Sequence, residues 1–103
     1  MKIVLKNKDY FKIVSFSENC GGDKINRAEI NIEGIFTLEQ LQKSFFEDNI
    51  KDFIIKDENT ENEIQINSYN SVSSIRINYG KNLLAESHAL ILLMKVEKDG
   101  DKT

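Results

Sequence analysis

The residues best suited to chemistry in this chain are its single cysteine, Cys20, and its single histidine, His88. A cysteine nucleophile needs a base within hydrogen-bond reach, and these two residues form no recognisable spacing motif. One cysteine also excludes an intrachain disulfide. Two such residues are too few to ligate a structural zinc ion. The sequence therefore predicts neither thiol catalysis nor a metal centre.

The acidic residues do not form a catalytic or calcium-binding pattern. Adjacent acids such as Glu47-Asp48 and Asp57-Glu58 are expected to point apart in a polar loop, where nothing apolar around them would raise a pKa. The stretch 57–63 lacks the glycine and the ligand spacing of a calcium loop. Residues 20–24 lack the spacing of a phosphate-binding loop. We therefore expect no enzyme activity and no cofactor, and expect the chain to act by binding.

The acids are concentrated in one part of the chain and could form a binding face. Seven acids and two lysines lie between positions 47 and 63, in a chain whose net charge is −3. Such a segment could bind a basic partner, or it could simply be a solvated loop with strand ends. The candidate residues for partner binding are Asp57, Glu58, Glu61 and Glu63.

Two further features could bind a protein partner. Leu83 and Leu84 stand in the predicted loop 80–87, where they could be exposed apolar anchors or could fold back over the core. The first or last strand could pair with a partner chain or form a homo-oligomer through a free edge.

Length and composition predict one domain over residues 1–98 and a loose polar tail at 99–103. The longest apolar run, 89–94, has six residues, whereas a membrane-spanning helix needs about 20. Residues 1–6 lack the apolar stretch of a signal peptide. We expect a cytosolic site of synthesis and no membrane contact.

A strand, a capped helix and another strand are predicted between Ala28 and Ile55. Thr37 and Gln40 match a capping box, and Phe36 and Leu41 match a hydrophobic staple. The apolar spacing predicts one helix over about 38–48, with Phe46 widening its buried face. Asn49 would end this helix in a left-handed conformation.

Alternating apolar residues predict about seven strands. Most gaps between them are too short for parallel crossovers. Ile64 and Ile66 are predicted to face inward, Tyr79 is predicted to share a face with Ile75 and Ile77, and 89–96 is apolar enough to be covered on both faces. We predict an α+β fold, with a mainly antiparallel sheet or partly open β-barrel, and with the helix packed on it between strands three and four.

The order of elements resembles that of small proteins encoded in phages and prophages of low-GC Gram-positive bacteria, often near tail genes. The similarity lies in the hairpin around 7–9, the strand ending at 29–32, the helix start at 36–41, and the segments 53–57 and 66–75. It implies a non-enzymatic protein-binding module, with a virion accessory of the tail or baseplate as the expected role and a phage structural protein as its partner.

The phage setting also fits a second role. A small inhibitor of host defence, similar to anti-CRISPR proteins, would place its acidic face in the basic nucleic-acid channel of an effector. A third alternative is a single-stranded nucleic-acid binding module that uses Tyr10, Phe11 and Phe16 as a stacking platform. Because the sequence shows no basic groove, we do not expect direct nucleic-acid binding.

Overall fold

The computed structural model describes residues 1–20, 26–82 and 85–96, so the predicted tail at 99–103 lies outside the described residues. Seven strands and two short helices form within these ranges. In chain order they are β1 (Lys2–Val4), β2 (Tyr10–Cys20), β3 (Asn26–Gly34), α1 (Leu38–Ser44), α2 (Glu47–Ile50), β4 (Phe53–Lys56), β5 (Glu63–Ile66), β6 (Ser71–Asn78) and β7 (Ser87–Met94).

The strands form one antiparallel sheet in the order β5-β4-β1-β2-β3-β7-β6, which is not closed. The predicted α+β fold, with its helical segment between strands three and four, is confirmed. The expectation that the first or last strand is an edge is wrong. β1 lies between β4 and β2, and β7 lies between β3 and β6. The edges are β5 and β6.

The two edge strands are consecutive in the chain and joined by only four residues, 67–70. An extended linker of this length spans at most about 18 Å. A flat sheet of seven strands would separate its edges by about 29 Å, at about 4.8 Å per strand. The sheet therefore curls, and the end of β5 approaches the start of β6.

Tyr69, in this linker, fills the space between the two edges. It is buried, its ring stacks on Phe53 with ring centroids 6.4 Å apart, and its hydroxyl donates a hydrogen bond to the Glu18 carboxylate. The linker is thus anchored to β4 by ring contact and to β2 by a hydrogen bond.

The core lies on the concave side of the sheet. In β7, Ala89, Ile91 and Leu93 are buried, whereas Leu90 and Leu92 are only half-buried. The prediction that this strand is covered on both faces is wrong, because the helical residues that complete the core pack on one side only. They are Leu41, Phe45 and Ile50.

The helical segment is broken in two. The predicted capping box is present: the Gln40 amide donates to the Thr37 hydroxyl at 3.2 Å, and the Thr37 amide donates to the Gln40 side chain at 2.8 Å. The prediction of one helix to position 48 is wrong. Phe45 leaves the helical conformation at φ −94° and ψ 79°, and its buried ring lies 5.3 Å from that of Phe11. Phe46, expected on the buried face, is exposed.

Asn49 does not end a helix in the left-handed conformation. It is buried in α2. Its side-chain oxygen accepts the Asn7 amide at 2.7 Å, and its side-chain nitrogen donates to the Ser44 carbonyl at 2.6 Å. Buried amides must satisfy their donors and acceptors, so Asn49 fixes the β1–β2 turn against the helices.

Candidate partner-binding surfaces

The β4–β5 hairpin brings together the four acids that the sequence predicted as partner-binding residues. The Asp57 amide donates to the Asn62 carbonyl at 2.9 Å, which closes the loop. The Asp57 carboxylate accepts the Asn59 amide at 3.0 Å. Glu58, Glu61 and Glu63 are exposed, and Asp57 is half-buried. These acids therefore share one hairpin and most of their charge faces solvent.

One of the four carboxylates has an ion-pair partner. Glu63 lies 3.8 Å from the Lys56 ammonium, across the two strands of the hairpin. Within the described ranges, Asp57, Glu58 and Glu61 form no salt bridge. Exposed pairs contribute little to stability. The hairpin tip therefore presents three exposed or half-buried carboxylates without a salt bridge, Asp57, Glu58 and Glu61.

Leu83 and Leu84, the predicted apolar anchors, lie outside the described residues. Other apolar side chains are exposed instead. A groove of about 490 Å³ runs beside the start of α1. Its apolar walls come from the β3–α1 connection and from the end of β6. The lining residues are Ile35, Phe36, Thr37, Gln40, Tyr79, Gly80, Asn82, Ala85 and Ser87.

A second, more open groove of about 450 Å³ adjoins the first and shares Ile35, Phe36 and Gln40 with it. Tyr10 also lines this second groove. Tyr10 and Ile35 are each 66% exposed and Tyr79 is 57% exposed, which makes them three of the four most exposed large hydrophobic residues in the described chain. We call these three residues the apolar face.

Tyr79 is held in place although its ring is exposed. Its hydroxyl accepts a hydrogen bond from the Leu38 amide at 2.9 Å, one of the amides that a helix leaves unpaired at its start. Tyr79 follows Asn78, the last paired residue of β6. Gly80 permits this path, since a Cβ there would lie 2.7 Å from that of Ala85.

Cys20 and His88 are not brought together. Cys20 pairs with Asn26 at one end of β3, and His88 pairs with Glu33 near the other end. Seven residues of strand separate these positions, or about 23 Å. The described residues contain no group of three histidine, cysteine or acidic side chains that could hold a metal ion.

An ion-pair cluster lies on the convex side of the sheet instead. The Lys12 ammonium is 2.8 Å from the Glu33 carboxylate, and His88 Nε2 is 3.4 Å from its other oxygen. The hydrogen bond from Lys12 lowers the pKa of the Glu33 carboxyl, and the same bond raises the pKa of Lys12. This cluster joins three strands without forming a cavity.

The residues predicted as a stacking platform are divided between the two sides of β2. Phe11 and Phe16 pack against the core, and only Tyr10 is exposed. Alternation places Tyr10 and Phe11 on opposite sides of the strand, and the irregularity between Ile13 and Ser15 returns Phe16 to the side of Phe11. The three aromatics therefore do not present three rings to solvent.

No helix among the described residues has the length and apolar character needed to cross a membrane. No protein-family profile, no curated protein and no solved structure matches this chain.

Proposed function

We propose that this chain is a non-enzymatic protein-binding module that docks a partner through the apolar face. The observation that carries the proposal is the clustering of Tyr10, Ile35 and Tyr79 around two adjoining grooves. Exposed apolar patches of this kind typically mark interaction sites, and tyrosine is common among the residues that dominate binding energy.

Asp9 is the one carboxylate among the described groove residues, and its Oδ2 accepts hydrogen bonds from Asn7 at 3.0 Å and Ser44 at 2.8 Å. These bonds anchor the β1–β2 turn to α1, which gives Asp9 a structural role beside the apolar face.

The test is site-specific photo-crosslinking in cells that express the protein. A photoreactive residue at position 35 or 79 should yield one discrete cross-linked protein. The same residue at Val14, which is 53% exposed but away from the grooves, is the matched control and should yield none. Ile35→Asp should abolish the cross-link from position 79, whereas Val14→Asp should not. Equal labelling from positions 14, 35 and 79 would overturn the proposal.

The phage resemblance supports a narrower proposal, in which the partner is a phage structural protein and the module is a virion accessory of the tail or baseplate. Mass spectrometry of purified particles tests this role. The protein should be present at a fixed ratio to a tail protein, and Ile35→Asp should remove it from the particle. Its absence from particles would refute the virion role.

The acidic hairpin supports the alternative proposal of a host-defence inhibitor, acting in the host cytoplasm. Replacing Asp57, Glu58, Glu61 and Glu63 with the corresponding amides should then abolish binding to a basic effector. Binding of the wild-type protein should weaken as salt rises. A virion accessory bound through the apolar face would keep its partner after these substitutions.

A further inference from the structure

A row of charged residues crosses the convex side of the sheet on six adjacent strands. The strand register places Lys2 directly opposite Lys12 on one side and Lys56 on the other. Glu63 continues the row on β5, and Glu33 and His88 continue it on β3 and β7. From β5 to β7, the row therefore reads Glu63, Lys56, Lys2, Lys12, Glu33 and His88.

The three lysines at the centre repel one another. Like charges directly opposite on neighbouring strands destabilise a sheet. The two outer lysines have carboxylates beside them, Glu63 at 3.8 Å from Lys56 and Glu33 at 2.8 Å from Lys12. Lys2 has no carboxylate partner within the described residues, and its ammonium lies 5.1 Å from the centre of the Tyr10 ring. In the free protein, Lys2 thus lies between two other lysines, and its charge is offset only by the Tyr10 ring.

A row of apolar residues runs beside the lysines, two positions away from them on each strand. Val4 is opposite both Ile54 and Tyr10. Val4 and Ile54 are half-buried and Tyr10 is exposed. Tyr10 also lines the second groove, so this residue connects the lysine row to the apolar face. A partner that covers Tyr10 would therefore contact both.

We propose that Lys56, Lys2 and Lys12 bind the carboxylates of a short acidic segment of a protein partner, whose apolar side chains contact Val4, Ile54 and Tyr10. This inference deepens the proposed function and rests on it. Charge complementarity carries it, because carboxylates over Lys2 would replace repulsion with charge-assisted hydrogen bonds.

The limits of the row favour an acidic peptide over a nucleic acid. At about 4.8 Å per strand, the three lysines span about 10 Å. Beyond them lie Glu63 on one side and Glu33 on the other. A continuous phosphate backbone crossing the sheet would meet these carboxylates, whereas a short segment with two or three acids would not. The net charge of −3 also disfavours a polyanion.

The test uses purified protein and a fluorescein-labelled peptide with three consecutive glutamates flanked by leucines. Fluorescence anisotropy should show saturable binding that weakens as salt rises, and the matching glutamine peptide should bind at least about tenfold more weakly. Lys2→Glu should lower affinity by about tenfold or more, whereas Lys95→Glu, the matched charge change at an exposed site, should change it by less than about twofold.

The stability of Lys2→Glu supplies a second, opposite readout. Placing a carboxylate between Lys12 and Lys56 converts two repulsions into two attractions, so the melting temperature of the free variant should rise by about 2 °C or more. A variant that bound weakly because it was damaged would melt earlier. Higher thermal stability together with lost binding is therefore the expected signature of the site.

Three results would overturn the inference: equal binding of the two peptides, unchanged peptide affinity in Lys2→Glu, or tighter binding of an oligothymidine of the same length. The last result would make this a single-stranded nucleic-acid site. If peptide binding fails while the cross-links from positions 35 and 79 persist, the lysine site alone is wrong. If peptide binding succeeds and those cross-links are absent, the apolar face is wrong.

Discussion

The two edge strands of the sheet differ in length and in their contacts with the helices. β6 has eight residues and an irregularity in its pairing between Val72 and Ser74, and both helices pack against it. β5 has four residues, of which Ile66 alone is buried, and it leads directly from the acidic hairpin. Free edges invite pairing with other chains. One edge strand is contacted by both helices, and the other is short and charged.

This difference shows where stability and binding capacity are located. Val72, Ile75 and Ile77 on β6 are half-buried and pack against the core, although no residue of that strand is fully buried. The short edge buries only Ile66 and exposes Ile64, which is 63% accessible. Substitutions where α1 contacts β6 should therefore destabilise the protein, and substitutions at the exposed positions of β5 should change only its surface.

Tyr69→Ala should have the largest effect, because Tyr69 fills the space where the two edges approach. Loss of the ring stacked on Phe53 should lower the free energy of unfolding by about 3–5 kcal/mol. Chemical denaturation measures this loss. Tyr69→Phe is the control: it keeps the ring, loses the bond to Glu18 and should cost about 1–2 kcal/mol. Equal losses in the two variants would show that the ring does not join the edges.

Leu41→Ala should weaken the packing of α1 on β6 and destabilise the protein by about 2–5 kcal/mol. Gln42→Ala, on the exposed side of the same helix, should change stability by less than about 0.5 kcal/mol. Hydrogen exchange sharpens the comparison: β6 amides should lose protection in Leu41→Ala, while β5 amides should exchange rapidly in both proteins. Strong protection of β5 in the wild type would contradict the description of that edge.

Thr37→Ala tests the capping box that starts the covering helix. It should cost about 1 kcal/mol, because the Gln40 amide loses its acceptor. Thr37→Ser keeps the hydroxyl and should stay near the wild type in the same denaturation experiment. A loss as large as that of Leu41→Ala would mean that the cap, rather than apolar burial, holds the helix on β6.

Glu33, in the middle of the sheet, should contribute to the acid sensitivity of the protein. The pKa of the Glu33 carboxyl is lowered from 4.5 by the Lys12 hydrogen bond. The stability that the ionised carboxyl contributes is therefore complete above pH 4.5 and is lost as the pH falls through the lowered value. Glu33→Gln should flatten the decline of stability in this range, and an unchanged decline in that variant would contradict this contribution.

Ile64→Ser should have the smallest effect, below about 0.5 kcal/mol, because the side chain is already in solvent. Its cross-strand partner, Ile55, is buried and shares the same side of the sheet. Ile55→Ser is therefore the matched comparison and should be strongly destabilising. A large loss in Ile64→Ser would show that β5 is packed against another surface in solution.

Much of the fold was predictable because it depends on local patterns. Alternation identified the strands, and Thr37 with Gln40 identified the helix start. Ile64 was predicted to face inward, and it does share a side with Ile55, but alternation does not indicate where the core ends. The helix break at Phe45 was not predictable from spacing, because burial beside Phe11 decides it.

The binding surfaces were harder to predict. The acidic hairpin was found because its residues are close in sequence. The lysine row was missed because Lys2, Lys12 and Lys56 become neighbours only through the order β4-β1-β2. The apolar face was missed for the same reason, since Tyr10, Ile35 and Tyr79 come from three separate segments. Long-range strand order, which no local pattern specifies, determines both.

The pairing of β1 with β4 has a consequence for folding. It pairs Lys2 with Lys56, so a large part of the chain must be in position before β1 and β4 can form their hydrogen bonds. Sheets dominated by such distant partners form on the order of milliseconds to seconds, far more slowly than helical bundles. Until β4 pairs with β1, the hairpin of β1 and β2 has an unpaired edge. A chain on the ribosome, or one just diluted from denaturant, is most vulnerable to aggregation during that interval.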